Sequence, residues 1–170
     1  RVGAVSGADE IFSNAEFANA EFVCSKTAQS GETRRMIWRD REGPIAWLEQ
    51  HKERLLARRV TRFDENNWWK WGRRHYISDA PRIYVNGKTR NARPFFLNPC
   101  TNYDGAVIAL FPHRANLKDA ELRRLAEMLN DVDWSELGFV CDGRFLFAQR
   151  SLEQALLPEG FAEFAVKGLV

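Results

Sequence analysis

Three tryptophans in four consecutive positions, Trp68, Trp69 and Trp71 around Lys70, are the strongest constraint in this chain. Side chains so close in sequence point in different directions in a helix or a strand, so regular structure cannot turn all three toward one core. At least one is expected at a surface or interface. Gly72-Arg73-Arg74-His75 follows directly, and flat rings beside cations suit stacking on bases while neutralising phosphates. The plainer alternative is a mixed core and edge cluster.

The overall charge of +2 hides a segregation. Residues 1–33 hold two basic and five acidic side chains, residues 34–94 hold 16 and seven, and residues 95–170 hold seven and 11, giving −3, +9 and −4. The middle segment also carries five of the six tryptophans. Positive charge and aromatic surface together point to nucleic acid. Part of this segment has a simpler use, because Ile45, Trp47, Leu48, Leu55 and Leu56 recur near helical spacing between Pro44 and Arg59, which makes Trp47 a core residue.

A chain of 170 residues fits one domain, spanning 1–170,. The longest apolar run, Ala106 to Pro112, is far short of the roughly 20 residues that cross a bilayer. No signal peptide is evident at the N-terminus, so no membrane partner and a cytoplasmic location are expected. Cys24, Cys100 and Cys141 are few, odd in number and far apart, which suggests buried apolar thiols rather than a disulfide framework or a zinc site. A chain that opens at Arg1 in a strand-like pattern is expected to be a piece of a longer polypeptide.

Strands are expected at 1–4, 21–25 and 33–38, with a short apolar segment at Ile11-Phe12 after the first, then the helix from Pro44. Arg82-Ile83-Tyr84-Val85 is β-rich and runs into Asn86-Gly87, a two-residue hairpin signal. This predicts a hairpin from Arg82 to Arg93 with the polar tip Asn86-Gly87-Lys88-Thr89-Arg90-Asn91, suited to reading a groove. Pro94 to Leu97 is a further strand, and the apolar run from Ala106 to Phe111 suits a central one. Leu117, Leu122, Leu125, Met128 and Leu129 mark an amphipathic helix ending near Asn130,. A second hairpin turns at Asp142-Gly143, and Ser151 is expected to cap a short helix before Pro158. The class is α+β: a single domain with a mixed or largely antiparallel sheet and two main helices.

Catalytic signatures are missing. The sequence contains no GxxxxGK[ST], GxSxG or HExxH motif and no dinucleotide-type glycine fingerprint,. His51, His75 and His113 are isolated from one another and from cysteine, so no catalytic residue, metal ligand or cofactor site is assigned to this chain. A metal-dependent nuclease would draw on Asp79, Asp104 and Glu121, but their spacing does not favour it. Asn98-Pro99-Cys100 is similar to the Asn-Pro-Pro-aromatic loop of amino-methyltransferases but lacks the second proline and the aromatic, and reads as a turn after Phe95-Phe96-Leu97.

Several segments together resemble one family. Val5-Ser6-Gly7-Ala8-Asp9-Glu10-Ile11-Phe12 resembles the glycine-containing opening, with its following phenylalanine, of the C-terminal target-recognition region in many DNA adenine-N6 methyltransferases. Leu125 to Asn130, Phe139, Gly143-Arg144-Phe145 and Leu152 to Pro158 look like that region's final helix, hairpin and exit. Trp68-Trp69-Lys70-Trp71-Gly72-Arg73 and Arg82-Ile83-Tyr84-Val85 are also similar. The resemblance covers nearly the whole chain through short, degenerate motifs. It implies a modification methylase of a bacterial restriction–modification system, in which an upstream catalytic domain binds S-adenosylmethionine and carries the Asn/Asp-Pro-Pro-aromatic loop. The present chain would choose the site on double-stranded DNA while the target adenine is flipped out.

The individual contacts are chosen from charge and hairpin position. Arg73, Arg74, Arg90 and Asn86 are candidates for reading base edges, and Lys70, Arg82, Lys88 and Arg93 for meeting phosphates. Trp68, Trp69 and Trp71 are the candidate aromatic contacts. An RNA- or protein-binding module built on the same surface is the competing expectation.

Overall fold

Apolar side chains sort into clusters that belong to two different stretches of fold. The structure is a computed structural model that describes residues 8–38, 43–59, 62–72, 78–114 and 116–165. The strand expected at 1–4 lies outside these residues. In chain order the elements begin α1 (Ala8–Phe12), β1 (Ala20–Phe22), α2 (Thr27–Ser30), β2 (Arg34–Met36), α3 (Ala46–Glu49) and α4 (Lys52–Leu56). They continue β3 (Ile83–Asn86), β4 (Lys88–Thr89), β5 (Phe95–Phe96), β6 (Val107–Leu110), α5 (Asp119–Asn130), β7 (Val140–Cys141), β8 (Arg144–Leu146), α6 (Gln149–Glu153) and a 3-10 turn, Glu159–Phe164. The class is α+β with antiparallel sheets. Two compact units form, one from residues 1–22 and 33–77, the other from 23–32 and 78–170.

In the first unit β1 and β2 pair antiparallel, with Phe22 opposite Arg34 and Ala20 opposite Met36. The core holds Phe12, Phe22, Met36, Leu48, Leu55 and Trp68. The short apolar segment Ile11-Phe12 lies in helix α1, with both side chains buried. The helix from Pro44 is divided into α3 and α4 at His51, whose φ of −115° and ψ of 13° leave helical values. The apolar spacing still holds its meaning: Leu48 and Leu55 are both fully buried. Periodicity specifies a buried face, not an unbroken backbone.

In the second unit β3 is buried along its whole length and takes the centre of the sheet β5-β3-β6. Ile83 and Val85 enter one cluster with Phe95, Leu125, Trp134 and Phe147, while Tyr84 packs with Val23 and Val107. The apolar run at 106–111, expected as the central strand, is the edge strand β6, with Ile108, Ala109 and Leu110 only half-buried. Burial on both faces decides the central position, and the shorter Ile-Tyr-Val-Asn run has it. Helix α5 covers the sheet with Leu125, Ala126 and Leu129. Its Asn130 side chain bonds both the N–H and the carbonyl of Phe95, each at 2.9 Å. Ser151 sits inside α6, and Ala148 takes the cap position.

Asn86-Gly87 does not form a two-residue hairpin. Gly87 donates its N–H to the Ala106 carbonyl and accepts from the Phe147 N–H, both at 2.9 Å, so the strand continues and passes from one sheet to another. A Cβ at Gly87 would meet the Phe147 and Ala106 carbonyl oxygens at 3.4 and 3.5 Å, ordinary van der Waals contact. Past it, Lys88 pairs with Leu146 and Thr89 with Phe145 in the sheet β4-β8-β7. The chain then returns to β3 through β5, with Val85 opposite Phe95.

The Asp142-Gly143 hairpin forms as expected. Cys141 pairs with Arg144, and φ values of 51° at Asp142 and 67° at Gly143 match the two left-handed residues of a type I′ turn. Gly143→Ala meets no steric neighbour within 4 Å but must hold a left-handed backbone. It is expected to cost about 1 kcal/mol, or about 2–4 °C in Tm. An unchanged melting curve would show that the turn bears no such strain.

Burial pushes the Tyr84 phenol up to about 12, against a smaller downward influence of the Arg82 charge. Its O–H donates to the Cys100 carbonyl at 2.6 Å, a bond that only the protonated form can make. The unfolded phenol ionises near 10, so the stabilisation is whole below pH 10 and falls as pH rises from 10 toward 12. In alkaline denaturation Tyr84→Phe is expected to flatten this decline, and an identical slope would exclude Tyr84 as its source.

Candidate nucleic-acid interface

The tryptophan segment is a core element rather than a stacking platform. Residues 65–69 form turns, held by Asx bonds in which Asp64 accepts from Asn66 N–H and Asn67 accepts from Asp64 N–H, each at 2.8 Å. An irregular backbone escapes the periodicity that forbids one shared core. Trp68 is therefore buried while Trp69 and Trp71 are half-buried against the same cluster. Trp71 donates its indole N–H to the Ile37 carbonyl at 3.0 Å and meets Phe22 and Trp38 at ring distances of 4.9 Å. Lys70 is exposed, its ammonium 5.7 Å from the Trp69 ring centroid. Arg73 and Arg74 lie outside the described residues.

Arg58 is the organiser that the sequence reading overlooked. Its guanidinium is buried, donates to the carbonyls of Leu55, Trp68 and Lys70, and lies 3.9 Å from the Phe63 ring centroid. Burial lowers its pKa to about 10, so it remains a cation at neutral pH. A buried arginine that spans helix α4 and the tryptophan turns is a structural clamp.

Arg82 and Asn86 are also internal. Arg82 is 5% exposed and donates to the carbonyls of Ser78, Ala80 and Thr101. Asn86 is 6% exposed and donates to the Ser25 carbonyl at 2.8 Å. Neither is exposed as a contact to a duplex would need. Arg93 is exposed but held by Glu127 and Asp131, which largely offset its charge.

Lys88 and Arg90 are different. The ladder pairs Lys88 with Leu146 and Thr89 with Phe145, and Arg90 follows directly after β4. Alternation then puts Lys88 and Arg144 on one face with Leu146 and Cys141, while Thr89 and Phe145 take the opposite face. Phe145 packs against the core, whereas Lys88, Arg90, Leu146 and Cys141 are exposed and Arg144 half-buried. None of these three cations has an ion-pair partner among the described residues. Arg144 was missed as a site residue, although the Asp142-Gly143 turn and strand alternation together were enough to place it.

The remaining candidates separate. Asp79, Asp104 and Glu121 form no metal-ligand group, and the described residues hold no cluster of three His, Cys, Asp or Glu side chains suited to a metal ion. The Lys118 N–H first, and Arg114 second, hold the Glu121 carboxyl below its usual range. Cys24 is buried, but Cys100 is half-buried and Cys141 exposed, because the outer face of β7 has no neighbour to cover it. Among the described residues no helix is long and apolar enough to cross a membrane. No family model, curated protein or solved structure matches the chain.

Proposed function

We propose that this chain is a double-stranded-DNA recognition module, working as the target-choosing part of an S-adenosylmethionine-dependent DNA adenine-N6 methyltransferase. One observation carries the DNA reading: Lys88 and Arg144 share one face of the β4-β8-β7 sheet with exposed Arg90 directly after β4, and none of the three has an ion-pair partner among the described residues, an arrangement suited to displacing counterions from phosphates. The methyltransferase context rests on the family resemblance of the sequence. On this reading the cofactor and the chemistry belong to a catalytic domain upstream, and this chain supplies positioning contacts to the duplex backbone.

The test is fluorescence anisotropy of the chain with labelled duplex DNA, single-stranded DNA and RNA of matched length across a salt series. Preferential duplex binding with a steep salt slope is expected. Preference for RNA or single strands would replace this reading with a different nucleic-acid module, and no binding to any of the three at low salt would overturn it.

A further inference from the structure

We infer that a cleft beside the start of helix α5 is a binding site for a nucleobase, with guanine the best fit. The cleft has a volume of about 370 Å³, within the range of small-ligand sites. Its walls are the chain leading into β3 and the turn after β5. Arg82 ties them together by donating to Ala80 on one side at 3.1 Å and to Thr101 on the other at 2.8 Å. The Arg82 guanidinium lies 4.8 Å from the Phe111 ring centroid. Asn98 adds a further brace by accepting the Cys100 N–H at 2.9 Å. Two walls of the cavity are thus braced against each other before any ligand arrives, which limits the ordering cost of binding.

Its lining joins two kinds of surface. Pro81, Leu97, Pro99 and Leu122 offer flat apolar area, suited to the faces of a planar ring. Asp79, Thr101, Asp119 and Arg123 offer polar groups, and none of these four side chains has a hydrogen bond or ion pair with another described residue. Two carboxylates that only accept, beside a guanidinium that only donates, call for an edge with adjacent N–H donors next to a carbonyl. The Watson–Crick edge of guanine has the N2 amine, N1–H and O6 in that order. A carboxylate can accept the first two while Arg123 donates to the third. The charges also balance across the cleft, Asp79 and Asp119 against Arg82 and Arg123, so a neutral ring suits it better than a free anion. Neither the duplex reading nor the basic sheet face is needed for this site.

Titration of the isotopically labelled chain with GMP, IMP, AMP and ribose 5-phosphate, followed by amide chemical shifts, tests it. Saturable shifts at residues 98–101 and 119–123 are expected for GMP, with weaker binding of IMP, which lacks the N2 amine, and none for ribose 5-phosphate. The exposed pair Asp119→Ala and Arg123→Ala together should weaken GMP binding at least about tenfold while leaving the remaining amide spectrum intact. Duplex affinity should stay unchanged in that variant, which separates this inference from the proposed function. Equal shifts with ribose 5-phosphate, or no saturable shift at millimolar GMP, would overturn the site.

Discussion

Arg58→Ala is expected to unfold the first unit's tryptophan core before any other single change at a polar residue described above. The substitution leaves the carbonyls of Leu55, Trp68 and Lys70 without their common donor and removes the cation from the Phe63 ring. Each orphaned buried acceptor costs about 1–3 kcal/mol. Relief from burying a charge offsets part of this, leaving a net loss of about 3 kcal/mol, near a third of an ordinary domain's stability. Arg58→Lys is expected to recover little, because an ammonium has no planar fork to span three carbonyls and stacks poorly on an aromatic face. Intrinsic fluorescence reports the change directly, since Trp38, Trp47, Trp68, Trp69 and Trp71 all pack in or against that core. A red-shifted emission and an earlier urea midpoint are expected; wild-type values for both would show that other donors reach those carbonyls.

Replacing Lys88, Arg90 and Arg144 together with alanine is the largest expected effect on binding. If each meets one phosphate, the slope of log affinity against log salt should become shallower by about 2.7, from about 0.9 per contact. The folded state should be little altered, because none of the three has an ion-pair partner among the described residues. Arg93→Ala is the matched control, an exposed arginine of the same segment already bound by Glu127 and Asp131, and should leave the slope nearly unchanged. A folded triple variant with the wild-type slope would remove this sheet face from the interface.

What the sequence made legible was local. The α5 helix, the Asp142-Gly143 turn and the apolar character of the 83–85 and 107–110 strands all follow from periodicity and turn chemistry within a few residues. The errors share a cause, since each needed information about distant partners. Asn86-Gly87 has the composition of a hairpin turn, but hydrogen bonds to Ala106 and Phe147 carry the strand on into a second sheet, and only the fold shows those partners there. Arg58 and Arg82 look like any surface arginine in a basic segment; what sets them apart is carbonyls brought close by irregular loops. Charge counting overstated the middle segment for that reason, because it cannot tell a buried clamp from a free cation. It also joined residues that the fold divides between two units.

The interrupted pairing of β1 and β2 has a consequence for the order of synthesis. Residues 23–32, which separate these two strands, belong to the second unit and bond to partners made much later. Asn86 reaches Ser25 across 61 positions, and Val23 donates to the Asn102 carbonyl at 2.8 Å. A ribosome therefore releases Val23 long before its partners exist, and the early chain must carry this one buried apolar side chain exposed until β3 and Asn102 emerge. Closing contacts across so many residues slows folding relative to local pairing, so the second unit is completed only once its C-terminal partners have been made.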